Sequence, residues 1–230
     1  MNAAHALAEE RGLSLEERAY RAIRARIIEG AMLEPQSYTE TELAELVGVS
    51  RTPVREALKR LRAEQVIELR PKGGVWVKPV TPAFADEVYT IRALLEGHAT
   101  GVAATRIDDE GLRRLREIAL LVEHNYREGR RERLGELYGE FHARILAAAQ
   151  LPLLEAHLEQ LETNIQRFRR VTSVNPAILV PSREEHVEII DALERRDAAA
   201  AERAAYLHVI RLKDAYVGAL REQSGVRPIA

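Results

Sequence analysis

Cysteine is absent from this 230-residue chain, so it can form no disulfide framework and no thiolate metal or redox centre. No apolar run approaches the roughly 18 residues of a membrane span. The segment around Glu9, Glu10 and Arg11 precedes no signal-like apolar core, so a cytoplasmic protein is expected. Internal repeats and low-complexity tracts are missing; Ala198 to Ala201 is only an alanine-rich helix start. So are a nucleophile elbow, a P-loop and a dinucleotide turn, which leaves no enzymatic motif. The chain also lacks a strong charge of either sign, its formal net charge being −2.

What is present is globular material. Hydrophobic residues make up 46% of the chain and charged ones 30%, and the length allows one or two cores. The most informative stretch runs from Tyr38 to Lys78. Thr39 and Glu42 have capping-box spacing, Leu43, Leu46 and Val47 give an apolar face, and Gly48 suits a left-handed helix end. Ser50 or Thr52 can cap a second helix whose first turn tolerates Pro53. At 100° per residue Val54, Ala57, Leu58 and Leu61 share one arc of it, and Arg51, Thr52, Arg55, Lys59 and Arg62 share the arc beside. Val66 to Leu69 and Val75 to Val77 read as strands around Pro71-Lys72-Gly73-Gly74. Two helices, a tight turn and a hairpin wing are a device for setting one helix into a DNA groove. Arg is suited to bidentate contact with guanine, and the glycine tip with Lys72 to a close phosphate approach.

A basic stripe taken alone reads first as a solvated helix face. Its place after a glycine turn and before a wing favours DNA. Charge is also focused: Arg51, Arg55, Lys59, Arg60 and Arg62 stand against Glu56 alone. The run VGVSRTPVREALKRL resembles the signature of the GntR family of bacterial transcription regulators, over about Leu15 to Lys78. The resemblance implies that Arg51, Thr52, Arg55 and Gly73 touch operator DNA. Thr41 departs from the pattern, since many relatives carry a basic residue there.

Ser14 with Glu17 opens a preceding helix through Tyr20, Ile23 and Ile27. Pro79-Val80-Thr81-Pro82 forms a stiff link, which sets the expected domains at 1–80 and 81–230. Beyond Pro82 the period is helical throughout. Thr81 caps a long helix to about Thr105, Asp108 caps the next, Arg131 to Ala149 follows, and Pro152 begins another. Val171 to Pro181 reads as one long irregular loop, Ser182 with Glu185 as a new capped start, and Asp197 as the last cap. Six helices with short links imply an antiparallel bundle, so the expected fold is mainly α: a winged helix-turn-helix followed by a helical bundle.

This second half resembles the FCD ligand-binding domain of the FadR subgroup, on Arg92-Ala-Leu-Leu-Glu96, Phe141-His142, Glu185-His186 and the final helix ending in His208. Such bundles hold a divalent metal or bind a small carboxylate effector directly. His142, His186 and His208 fall on three helices and could hold Zn²⁺ or a similar ion; ordinary half-buried histidines are the bland reading. Tyr138 stands where metal-binding relatives carry an aspartate, and Glu140 points elsewhere on its helix. Arg92 resembles the arginine that pairs with the effector carboxylate, and is equally well spaced for a salt bridge to Glu96. His5, His98, His124 and His157 match no motif. The expectation is a regulator, acting as a repressor, that binds a palindromic double-stranded operator as a homodimer. A small organic acid held by Arg92, Tyr138, His142, His186 and His208 would control it. An all-α metallohydrolase using the three histidines is the alternative.

Overall fold

Helix starts follow their caps. The structure, a computed structural model, describes residues 12–32, 37–70, 74–172 and 176–223. Its residues cluster into two units: residues 1–80 with Glu162–Arg170, and Thr81–Leu161 with Val171–Ala230. Nine helices and one small sheet are present among the described residues, and none of these helices is long and apolar enough to cross a membrane.

In the first unit, α1 (Leu15–Ile28) begins where Ser14 Oγ accepts the Glu17 amide at 3.1 Å. It buries Ala19, Tyr20, Ile23 and Ile27, the spacing of one helical face. A two-residue strand, β1 (Ser37–Tyr38), precedes α2 (Glu40–Val47). The Thr39–Glu42 capping box closes in both directions, and Gly48 ends α2 at φ +69°, a conformation where glycine has no Cβ penalty. Helix α3 (Arg51–Ala63) has Ser50 as its N-cap, without a side-chain cap bond, and buries Val54, Ala57, Leu58 and Leu61. Strands β2 (Ile67–Arg70) and β3 (Gly74–Val77) pair antiparallel, with Glu68 opposite Trp76 and Leu69 opposite Val75. β3 lies in the middle of the order β1-β3-β2, so Tyr38 also faces Val75.

Glu64, the C-cap of α3, is a buried carboxylate with full satisfaction. Its Oε1 accepts Tyr20 OH at 2.7 Å, its Oε2 accepts Thr163 Oγ1 at 2.6 Å, and its carbonyl accepts Asn164 Nδ2 at 2.8 Å. Burial first, and then the neighbouring Glu64 charge, raise the Tyr20 phenol above its ordinary pKa, so it serves as the donor. These bonds explain why Glu162–Arg170 clusters with residues 1–80.

In the second unit, α4 (Pro82–Arg106) starts from a Thr81 cap with Pro82 in the first turn. Helices α5 (Asp109–Arg127), α6 (Arg131–Ala149), α7 (Pro152–Thr172), α8 (Pro176–Glu194) and α9 (Ala198–Gln223) follow. Links of two or three residues join them, and of the chain neighbours α5 packs on α6 and α8 on α9. Of the irregular loop expected over Val171 to Pro181, the described residues 171–172 and 176–181 are helical instead. α7 continues to Thr172, and α8 begins at Pro176 rather than at Ser182. The helix accommodates its prolines near its start: Pro176 is the first helical residue, and the N–H missing at Pro181 would bond only the Ala177 carbonyl. The core runs through Ala99, Ala103, Leu115, Ile118, Phe141, Ile145, Ile189, Ile190, Leu193 and Ala201.

α4 packs most extensively on α9. A Cβ at Gly97 would lie 3.1 Å from Tyr206 Cβ and 3.2 Å from the Glu202 carbonyl, so the missing side chain sets that spacing. Gly97→Val should therefore lower stability by about 1–3 kcal/mol through overpacking. Gly135→Ala, at a helical position with nothing within 4 Å, should instead raise it by about 0.5–1 kcal/mol. Denaturant titration of both variants checks this; equal effects would contradict the packing account.

Candidate functional site

Each unit carries one concentration of chemistry. On α3 the buried stripe leaves Arg51, Thr52, Arg55 and Lys59 exposed together. Arg51 and Arg55 both contact Glu40 Oε2, at 3.2 and 2.7 Å, and Lys59 pairs with Glu56 at 2.8 Å. The expected wing contacts Lys72 and Gly73 lie outside the described residues. On the described part of the wing, the Arg70 guanidinium sits 3.6 Å above the Trp76 ring. Glu40 was not singled out from the sequence, because an exposed contact between two helices has no local spacing to announce it.

The bundle centre is built from α4, α6, α8 and α9. Arg92, 1% exposed, binds Glu96 one turn on: Nε to Oε1 at 2.6 Å and NH2 to Oε2 at 3.3 Å. The salt-bridge spacing noted in the sequence is thus the contact formed. Glu96 Oε2 also lies 3.3 Å from His142 Nδ1. His208 Nδ1 lies 2.7 Å from Glu185 Oε2, whose other oxygen accepts Arg211 NH1 at 3.0 Å. The structure brings His142, His186 and His208 together, with one ring nitrogen of each within 4.8 Å of the others. Tyr138 joins them, its ring centroid 4.9 Å from that of His186, and Phe141 lies 4.4 Å from the same ring. Arg92 is connected to the group through Glu96.

Electrostatics assign the protons. Burial pushes the His142 imidazole down to about 4, against the pull of Glu96, so it is neutral near pH 7. Burial would raise Glu96, yet Arg92 and His142 together hold its carboxyl below the usual range. Burial likewise opposes ionisation of Glu185, and His208 with Arg211 overcomes it. Ionised carboxylates facing the Nδ1 atoms make those nitrogens the N–H donors, and on the neutral His142 ring this leaves Nε2 as the lone-pair atom. His208 Nε2 is buried without a hydrogen-bond partner among the described residues. His142 Nε2 and His186 Nε2 lie 3.4 Å apart. Two nitrogens on one tetrahedral zinc, each about 2.05 Å from it, would stand about 3.3 Å apart. The donor set and the orphaned nitrogen therefore suit a borderline divalent cation.

Glu185 was readable as a neighbour of His186, but its pairing with His208 on another helix was not. A cavity of about 370 Å³ opens beside this group, lined by Ile118, Val122, Tyr138, Phe141, His186 and Arg183 among others. Arg183 pairs with Glu123 at 2.8 Å.

Comparison with known proteins accounts for both units. The family model described as bacterial regulatory proteins, gntR family, matches residues 15–77, and the FCD domain model matches residues 87–211. The Nta operon transcriptional regulator of Aminobacter aminovorans is 31% identical over 157 residues, covering 68% of this chain and 73% of that one. The HTH-type transcriptional repressor RspR of Escherichia coli (strain K12) is 26% identical over 197 residues, covering 85% of this chain and 86% of that one. Among solved structures, E. coli McbR/YncC superposes with a TM-score of 0.72 over 92% of this chain and 99% of that one; at 24% identity this concerns the fold.

The His142 shift has a sign that can be tested on metal-free protein. Its folded value of about 4 lies below the ordinary value near 6.5, so the unfolded chain binds the extra proton between those pH values. Stability is full above that window and is lost as pH falls through it. Acidification from pH 7 to 5 should remove on the order of 1–2 kcal/mol. Thermal melts of the wild type and of His142→Gln check it; an equal fall in the variant would remove His142 as the cause.

Proposed function

The chain belongs to the gntR family of bacterial transcription regulators, its second unit being an FCD domain, and from that premise we propose how it acts. It is a DNA-binding regulator rather than an enzyme, and no finding favours the metallohydrolase alternative. Arg51, Thr52, Arg55 and Lys59 on α3 read or clamp a double-stranded operator, with Lys72 and Gly73 at the wing tip against the backbone. The observation that carries this is the exposed basic side of α3 standing beside its buried stripe. A single winged helix reads a short half-site, so the regulator binds a palindrome as a homodimer in the cytoplasm. Repression is favoured over activation because RspR, a relative across most of the chain, is named a repressor.

The bundle centre is the effector site in this reading. His142, His186 and His208 would hold a divalent metal such as zinc, which supplies an open coordination position and positive charge. Arg92 and Arg211 offset Glu96 and Glu185, so three neutral imidazoles leave a bound dication uncompensated. Tyr138, at the position of the relatives' aspartate, adds no carboxylate. A small carboxylate effector would complete the charge balance, with Arg92 and Tyr138 at its edge. Without a metal, the same imidazoles would donate hydrogen bonds to that carboxylate once protonated, so its binding would strengthen at lower pH.

Arg51→Ala should cost about 1–3 kcal/mol at the operator while leaving the fold intact. Unchanged operator affinity in a titration would sink the assignment. Protein purified without chelator or affinity tag should carry near-stoichiometric metal that is lost in His186→Ala, as read by elemental analysis. Metal-free wild type that still binds small carboxylates would select the hydrogen-bonding version instead.

A further inference from the structure

Arg51 and Arg55 are not independent side chains on α3. Both reach one oxygen of Glu40, Arg51 through a terminal nitrogen at 3.2 Å and Arg55 through Nε at 2.7 Å. Glu40 is the first residue of α2, so the contact spans the two helices across the Gly48 turn. The Glu40 side chain is 32% exposed and both arginines more than half. The arginines, Arg55 foremost, hold its carboxyl below the usual range, which keeps the group anionic. Lys59 has no share in this arrangement and pairs within its own helix with Glu56.

We propose that Glu40 is a specificity-determining residue, which positions the two reading arginines and penalises their use on bare phosphate; this rests on the DNA-binding reading above. The donor atoms support it. A guanidinium has five N–H donors, and the bond through Arg55 Nε leaves its NH1 and NH2 for the two acceptors of a guanine. Base reading therefore requires no rupture of the Glu40 contact. Tethering both side chains to one carboxylate also reduces the rotamer freedom lost on docking. Random DNA offers mainly phosphates. Contact with them brings the Glu40 carboxylate, held beside both guanidiniums, towards like charge. Exposed ion pairs are weak, so the device biases binding without blocking it.

The test uses the full chain and two probes: duplexes selected by the wild type from a randomised pool, and the unselected pool. Affinities for both are measured across a sodium chloride series. Glu40→Gln should bind the unselected pool several-fold more tightly, with a salt slope steeper by about one ion. Its selected-to-unselected ratio should fall about fivefold or more. Glu40→Asp, which keeps the charge and shortens the reach, should also lose discrimination. Glu45→Gln removes a charge elsewhere on α2 and should preserve the ratio. A ratio unchanged in Glu40→Gln, or retained in full by Glu40→Asp, overturns the proposal, as does an equal fall in Glu45→Gln. A wild type that retains neither pool overturns the DNA-binding reading itself.

Discussion

A guanidinium taken out of water inside a helical bundle must find a carboxylate, and the second unit is arranged around that requirement. Moving an unpaired ion to such a place costs several kcal/mol even after relaxation. Arg92 meets it with Glu96, one turn along the same helix. Glu96 in turn has an oxygen left over, and it orients His142. Glu185 repeats the device with Arg211 and His208. Two carboxylates thereby orient two imidazoles, and the lone pair that remains on His142 is directed where His186 arrives from α8. A buried polar group of this kind is tolerable only when nearly every member is satisfied. His208 Nε2, buried without a hydrogen-bond partner among the described residues, is an atom at which an added ligand gains a bond.

The first unit puts the same residue types under the opposite regime. Arg51, Arg55 and Glu40 form their pairs in water, where the Coulomb gain is small and screened by salt. A DNA contact has to be exchangeable, and exposed pairs are exchangeable because they are weak. Glu64 shows the contrast within the same helix. Its carboxylate is buried, both oxygens accept hydroxyls, and removing an acceptor there strands two donors. The amino end of α3 is thus open to replacement by a ligand, while its carboxyl end is fixed by buried hydrogen bonds.

Local grammar made much of this legible in the sequence. The Thr39–Glu42 box, the Gly48 turn and the apolar stripe of α3 each depend on residues within four positions of one another, and each formed as read. The bundle helices were legible through their caps, Thr81, Asp108 and Asp197 among them. The start of α8 was not legible: Pro176 opens it where amides lack intrahelical partners, and no side-chain cap was read ahead of Ser182. β1 was missed because two residues carry no period. The three histidines could be gathered only by resemblance, since partners 44 and 22 positions apart follow no helical spacing. Their carboxylates share that limit: Glu96 was visible as a neighbour of Arg92, but its second bond to His142 is tertiary.

These two energy scales constrain regulation. If the bundle centre takes an anion as proposed, the anion can alter operator binding only by the difference in its affinity for two states of the chain. Linkage makes the effect reciprocal, so operator DNA must change the anion's affinity by the same factor. Couplings of this kind amount to about 1–3 kcal/mol, a factor of roughly 5–150. That is comparable to one bidentate base contact, and larger than an exposed pair such as Arg55–Glu40. The buried centre therefore has to supply the difference. Only there, where charges are desolvated, does one added anion change the free energy by enough to matter at the operator.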